Sequence, residues 1–465
     1  MKRKLIPFIL LVSTIFVMAS CFGDDDTEVT FSNETGITAF SLGTQKIVKD
    51  TVGKSGKDST YQTTIDCSKY IFYIDQINHE IYNPDSLPVG IDSAKIICEA
   101  TSKSSATILV KSMTSDTLKV FSSSDSISFY KPRTFRVLSL SGLATVDYTV
   151  KVNIHREKPN VFKWQLANNN AAIADLTAMR ALALNGRVYV MGRDTDSPRI
   201  YVADEGNTVQ WNEVRPNIDL GTDFYKNVAV MGGRFYTYAK DGAVYTSADA
   251  ETWTRVAEVS LSRILGASDK MLYALGADRS LMASADGATW QQQDMDTPAD
   301  SLPTDNYSIM VRKLLTNQKI NRVVLTGTAA YISQIWSRIE ETDSHSEPQP
   351  WTYMDVAGDN RFGLPNMENL QVVNYGDFML ALGGRGMGNS HEEAFSGLYA
   401  STDGGLTWRI NTLYNLPEGF SSESGKFAFT RDSQNYLWVI ASNGDVWRGR
   451  LNRLGWKTDD TYFGE

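Results

Sequence analysis

Two patterns of apolar and polar positions divide the chain. From about residue 28 to 156, short runs rich in Thr, Ser, Val, Ile and Tyr recur with no helical period. The runs 37–40, 69–74, 94–98, 106–111, 134–138 and 147–152 each predict a strand. Asn83-Pro84, Leu87-Pro88 and Ser141-Gly142 supply turn signals between them. Six or seven short strands in about 125 residues predict a β-sandwich of immunoglobulin-like type.

From Trp164 onward a longer pattern repeats. A hydrophobic strand, a Gly or Asp turn and a second strand ending in Ser or Ala lead to an Asp-Gly-type turn and then Trp. Residues 188–192 and 200–204 lead to Trp211, 234–238 and 244–249 to Trp253, and 271–276 and 281–287 to Trp290. A looser unit holds 323–327 and ends at Trp351; 378–383 and 398–405 lead to Trp408, and 436–441 and 445–448 to Trp456. A four-stranded unit recurring at about 40–50 residues is the signature of a β-propeller blade. The chain is therefore expected to be all-β, with a sandwich over 28–156 followed by a propeller over 160–465. Trp164 resembles a terminal blade strand that closes the ring against the last blade. Six blades fit best, and seven stays open if Trp164 marks a degenerate one.

The turns inside the repeats carry a recognisable motif. Residues Ser401, Asp403, Gly405, Thr407 and Trp408 match the Asp-box (BNR-repeat) pattern Ser-x-Asp-x-Gly-x-Thr-Trp in full. Ser284, Asp286, Gly287 and Trp290 form a version one residue shorter; Ser247, Asp249 and Trp253 form another that also lacks the Gly. Each residue type has a local role: Asp caps backbone N–H groups, Gly takes a positive φ, and Trp packs between blades. The resemblance to Asp-box propellers implies that these residues are structural and peripheral, away from any central site.

The first segment changes the charge accounting. Lys2, Arg3 and Lys4 precede an apolar stretch from Leu5 to Met18, and small residues at Ala19 and Ser20 lead to Cys21. This predicts a secretory signal peptide over residues 1–20, its apolar run too short for a comfortable membrane span. Val17-Met18-Ala19-Ser20-Cys21 resembles a bacterial lipobox with Val at its first place, which implies cleavage before Cys21 and lipidation there. Acyl chains on Cys21 are expected to anchor the protein to a membrane with no spanning helix. Residues 21–27, with Asp24, Asp25 and Asp26, read as an acidic tether, and resemble the surface-export signal of some Gram-negative gut lipoproteins. The formal net charge is −9 for 45 basic and 54 acidic residues. Removing a leader with three cations and no acids leaves 42 against 54, or −12. That balance, with no block of Lys or Arg, excludes a nucleic-acid grip.

Candidate chemistry is sparse. Cys67 and Cys98 both lie in the first domain, where an oxidising compartment would permit a bridge and sequence leaves it open. His79, His155, His345 and His391 are scattered, with no metal-binding spacing, so no metal and no cofactor are expected. Asp355, Asp377, Glu392 and Glu393 are candidate carboxylates that sequence cannot pair. Arg180, Arg263, Arg322 and Arg361 fall near blade starts, but no Arg-Ile-Pro or Arg-Leu-Pro accompanies them, which counts against a sialidase. Residues 383–388, rich in Gly, open no helix and read as a flexible blade loop rather than a phosphate cradle. Two insertions, 294–307 and 339–350, are candidate specificity loops; the second carries Glu340, Glu341, Asp343 and Glu347 as a solvated acidic loop.

The whole plan resembles a family of lipoproteins from Gram-negative gut bacteria that place an Ig-like module before an Asp-box propeller. The resemblance implies an outer-membrane lipoprotein at the cell surface. Its propeller is expected to act as a non-catalytic binding or scaffold module for a glycan or an envelope protein. The alternative is a carbohydrate-active hydrolase with its site at the propeller axis.

Overall fold

The computed structural model describes residues 31–456 except 315, 342–348 and 355–359. The leader, Cys21 and the acidic tether lie outside the described residues. The chain divides into two compact units, the break falling between Glu157 and Lys158.

The first unit is a domain of β strands. Its largest sheet has six strands in the order Tyr73–Asp75, Glu80–Tyr82, Thr145–Val150, Arg133–Leu138, Thr107–Lys111 and Leu118–Val120. Glu80–Tyr82 runs parallel to Thr145–Val150, and the other neighbours are antiparallel. Ile37–Leu42 pairs with Cys98–Ser102, and Thr44–Val52 with Asp58–Asp66. Alternate residues of the central strands (Phe135 and Val137, Tyr148 and Val150) are buried with Ile37, Leu42 and Ile81 in one core.

Two strands begin later than the sequence predicts. Over 69–74 the strand is only Tyr73–Asp75, because Asp66 accepts from the Ser68 amide and Tyr70 N–H closes a turn on Cys67. Over 94–98 an Asp92 turn holds Ala94 and Lys95, and the strand runs from Cys98 to Ser102 instead. Cys67 and Cys98 are both buried and both free thiols, so the bridge left open by the sequence is not formed.

The second unit contains six four-stranded antiparallel sheets. Blades one to five start with inner strands Ala178–Leu184, Val228–Met231, Leu261–Ala267, Asp305–Leu314 and Gln371–Tyr375, and each is built from four consecutive strands. The sixth takes Phe427–Arg431, Leu437–Ala441 and Asp445–Leu451, and borrows its outer strand, Phe162–Asn169, from the start of the unit. Among the described residues the blades therefore number six, and Trp164 belongs to the closing strand rather than a seventh blade. Trp456, expected to end the last repeat, follows a short 3-10 turn (Asn452–Gly455) and lies in no blade strand.

Packing between neighbouring blades explains the uninterrupted apolar runs. Leu272–Gly276 and Leu437–Ala441 are buried at every residue because both faces of a blade's second strand are covered. Polar side chains tie adjacent blades where backbone groups would otherwise stay unpaired. Asn227 Oδ1 accepts from Ile264 N–H (2.6 Å), and Gln371 Oε1 accepts from Phe429 N–H (2.9 Å).

Candidate functional site

The meander of each blade sends its turns to two rims. Turns joining the first to second and third to fourth strands share one rim. The second-to-third turns and blade-to-blade connections share the other.

The Ser-x-Asp turns join third to fourth strands and occupy the first rim. Asp403 Oδ1 accepts from Leu406 and Thr407 N–H and from Ser401 Oγ, while Oδ2 accepts from Thr407 Oγ1 (2.6 Å). Ser401 Oγ in turn accepts from Gly405 N–H, and Trp408 Nε1 donates to Gly405 O (2.8 Å). Asp286 repeats this with the amides of Ala288 and Thr289 and with Ser284, and Trp290 donates to Gly287 O. Asp249 does so with Glu251, Thr252 and Ser247, and Trp253 donates to Ala250 O. Gly405 and Gly287 have φ of +95° and +77°; Ala250 takes the glycine's place at +62°. For Asp249 and Asp403 burial pushes the carboxyl upward, but the accepted hydrogen bonds outweigh it and hold the group below its usual range. Each network closes on itself and leaves the carboxylate committed to the turn.

Several predicted candidates are dispersed. Asp377 pairs with Arg453 (3.1 Å) in a first-to-second turn, on the Ser-x-Asp rim. Glu392 accepts from Tyr399 OH (2.9 Å), Glu393 is exposed, and Asp355 lies outside the described residues. The glycine-rich segment is pinned rather than flexible: Gly384 N–H donates to Glu368 O and Met387 N–H to Asn366 O, both at 2.7 Å. A Cβ on Gly388, at φ +58°, would sit 2.4 Å from the Tyr331 Cα. The two insertions sit on opposite rims. The stretch 294–307 is a blade connection; 339–350 belongs to a third-to-fourth turn, with 342–348, including Asp343, His345 and Glu347, outside the described residues. Glu340 is not part of a solvated loop: it lies in strand Ser333–Glu341, buried, with Oε1 accepting from Ser268 Oγ and Tyr273 OH. Among the described residues no group of three His, Cys, Asp or Glu is placed to hold a metal ion.

Two of the four arginines converge. Arg180, on the inner strand of blade one, donates through Nη1 to Tyr307 O on the inner strand of blade four (2.8 Å). In a six-membered ring those blades face each other, so Arg180 reaches across the axis. Its Nη2 is shut off from solvent and meets no hydrogen-bond partner among the described residues. Desolvation pushes its pKa down to about 10, an effect that nearby Asp305 opposes and Arg263 reinforces. Arg322 instead lies against Gly404, and Arg361 is exposed.

On the rim opposite the Ser-x-Asp turns, blades one to four enclose a cleft of about 800 Å³. Tyr225, Lys226, Arg263 and Asp305 line it. Lys226 Nζ meets Asp305 Oδ2 at 2.6 Å, and Arg263 Nη1 lies 3.8 Å from Oδ1. Arg263 also stacks over the Tyr307 ring, 5.1 Å from its centroid. Burial alone would raise the Asp305 carboxyl, but the Lys226 contact and Arg263 outweigh it and hold the group below its ordinary range. At the mouth, Arg193 pairs with Asp223 (3.1 Å) and Lys240 with Asp219 (3.5 Å). The sequence singles out Arg180 and Arg263, and Asp305 only as part of the 294–307 specificity loop; Lys226 carries no local signal beyond its place at a blade start. A second cleft of about 690 Å³ on the same rim sets Arg385 and Lys426 beside Glu368 and Glu423.

Two family models cover most of the chain. The DUF6242 beta propeller domain matches residues 158–459, and the DUF6242 N-terminal domain, described as a domain of unknown function, matches residues 40–152. No curated protein matches the sequence. Solved structures similar to the chain include virginiamycin B lyase from Staphylococcus aureus, at 9% identity over 74% of this chain and 96% of that one, TM-score 0.34. A lectin from Aleuria aurantia is 14% identical over 58% and 89%, also at TM-score 0.34. An endo-arabinase from Bacteroides thetaiotaomicron is 11% identical over 62% and 97%, at TM-score 0.30. At such values nothing about chemistry passes from those proteins to this chain.

Proposed function

The chain belongs to the DUF6242 family, and we propose that it is a surface-displayed outer-membrane lipoprotein whose propeller binds a glycan without transforming it. The observation that carries this reading is the cleft that blades one to four enclose on the rim opposite the Ser-x-Asp turns. Its two carboxylates, Asp223 and Asp305, are both engaged by cations at 3.1 Å or less. Asp305 is held ionised, whereas a glycosidase needs one carboxyl with a raised pKa to protonate the leaving oxygen. The cleft therefore offers a grip rather than a proton donor. The basic n-region, the apolar run and Cys21 support the anchor, and the Asp-box turns give the ring its rigid frame on the rim away from the cleft. The test uses the purified chain carrying Cys21→Ala on a printed array of acidic and neutral oligosaccharides, with a reducing-end assay on every hit. Binding without new reducing ends is the expected result; steady release of reducing ends would replace it with the hydrolase reading. An array with no hits removes the glycan, leaving an envelope protein as the partner to seek.

A further inference from the structure

The charges around the axis do not balance. At the mouth of the cleft each cation has its own acid, Arg193 with Asp223 and Lys240 with Asp219. Deeper in, Asp305 alone serves Lys226 and Arg263, and Arg180 lies close enough to feel it. Three cations share one carboxylate, a local surplus of two in a protein whose net charge is −9. The second cleft has no such surplus, since Glu368 and Glu423 match Arg385 and Lys426 in number.

The surplus comes with an unmet donor. Arg180 Nη1 is spent on Tyr307 O, while Nη2 is out of solvent and has no partner among the described residues. A buried cation with an unsatisfied N–H is costly, and negative charge held nearby offsets part of that cost. Guanidinium groups present paired donors that match a planar or tetrahedral oxyanion. Resting on the glycan-binding reading, we propose that this cleft seats one carboxylate or sulfate group of the bound saccharide on Lys226 and Arg263, with the buried Arg180 cation adding its charge from nearby. The anion supplies the second negative charge that the cluster lacks. The rest of the saccharide then lies toward the mouth, where cations and acids are already paired.

The experiment compares the Cys21→Ala chain with Arg263→Gln and Lys226→Gln variants on an array holding oligogalacturonides, their methyl esters, sulfated galactosides and neutral oligosaccharides. Arg180→Gln is a third variant, but its bond to Tyr307 O spans the ring and the substitution threatens folding. The two half-buried cleft residues keep the test independent of that, with thermal unfolding as the check. Lys131→Gln, an exposed site in the first domain, controls for the loss of one positive charge. Expected are hits confined to acidic saccharides, weakened about tenfold or more by either cleft variant and unchanged by Lys131→Gln. Oligogalacturonides against sulfated galactosides tell which oxyanion is preferred. Methyl esters bound as well as the free acids, or acidic hits indifferent to the cleft variants, overturn the inference while leaving glycan binding in place. A blank array overturns both.

Discussion

Asp403 gathers four hydrogen bonds onto one carboxylate, two from amides and two from hydroxyls. Its pKa is lowered on folding, so its contribution to stability is present above the ordinary carboxylate range and is lost as pH falls through the lowered value. Asp403→Ala should cost on the order of 1–2 kcal/mol near neutral pH, measured by urea unfolding, and less at a pH below the lowered carboxyl range. An equal cost at both values would show that the charge is irrelevant to the turn. The cysteines make a second residue-scale prediction. Burial pushes the Cys98 thiol up to about 12 and raises Cys67 as well, so neither is a thiolate at neutral pH. With Cys21 replaced, alkylation at about pH 8 should be negligible until denaturant unfolds the first domain. The Ser-x-Asp turns were legible in sequence because every partner lies within eight residues. Arg180 and Tyr307 are 127 positions apart, and no local pattern announces such a pair.

At the scale of elements, ring closure depends on a glycine. Gly449, in the third strand of blade six, faces the borrowed strand, and a Cβ there would meet Phe162 Cζ and Trp164 Cε3 at 2.8 Å. Trp164 also donates from Nε1 to Asn415 O in blade five (2.6 Å), fixing the strand against its neighbour. Gly449→Val should therefore destabilise the propeller by about 1–3 kcal/mol through overpacking, lowering the unfolding midpoint while the first domain melts unchanged. A midpoint equal to wild type would show that the closing strand adjusts without loss. Blade strands were readable because neighbouring blades cover both faces and impose apolar runs. The hairpin Thr44–Val52 with Asp58–Asp66 escaped notice because it is exposed along most of its length, so burial imposes no alternation on it.

For the molecule as a whole, the anchor reading makes the simplest prediction. Cys21→Ala should move the protein from the membrane pellet to the soluble fraction after cell lysis, and palmitate labelling should vanish with it. A pellet fraction unchanged by the substitution would end the lipoprotein reading. The sequence by itself determined what is written in neighbouring residues: the β character of both units, the repeat of the blades and the chemistry of their turns. Those features depend on periodicity and on hydrogen bonds between residues a few places apart, so they need no knowledge of the fold. The sequence already favoured six blades and a closing strand at Trp164; the tertiary structure decided between six and seven, and alone decided that Lys226, Arg263 and Asp305 share one cleft with Arg180 buried nearby. The reason is geometric. A propeller brings the starts of its blades to a common axis however far apart they stand in the chain, and the charge balance there is a property of the ring.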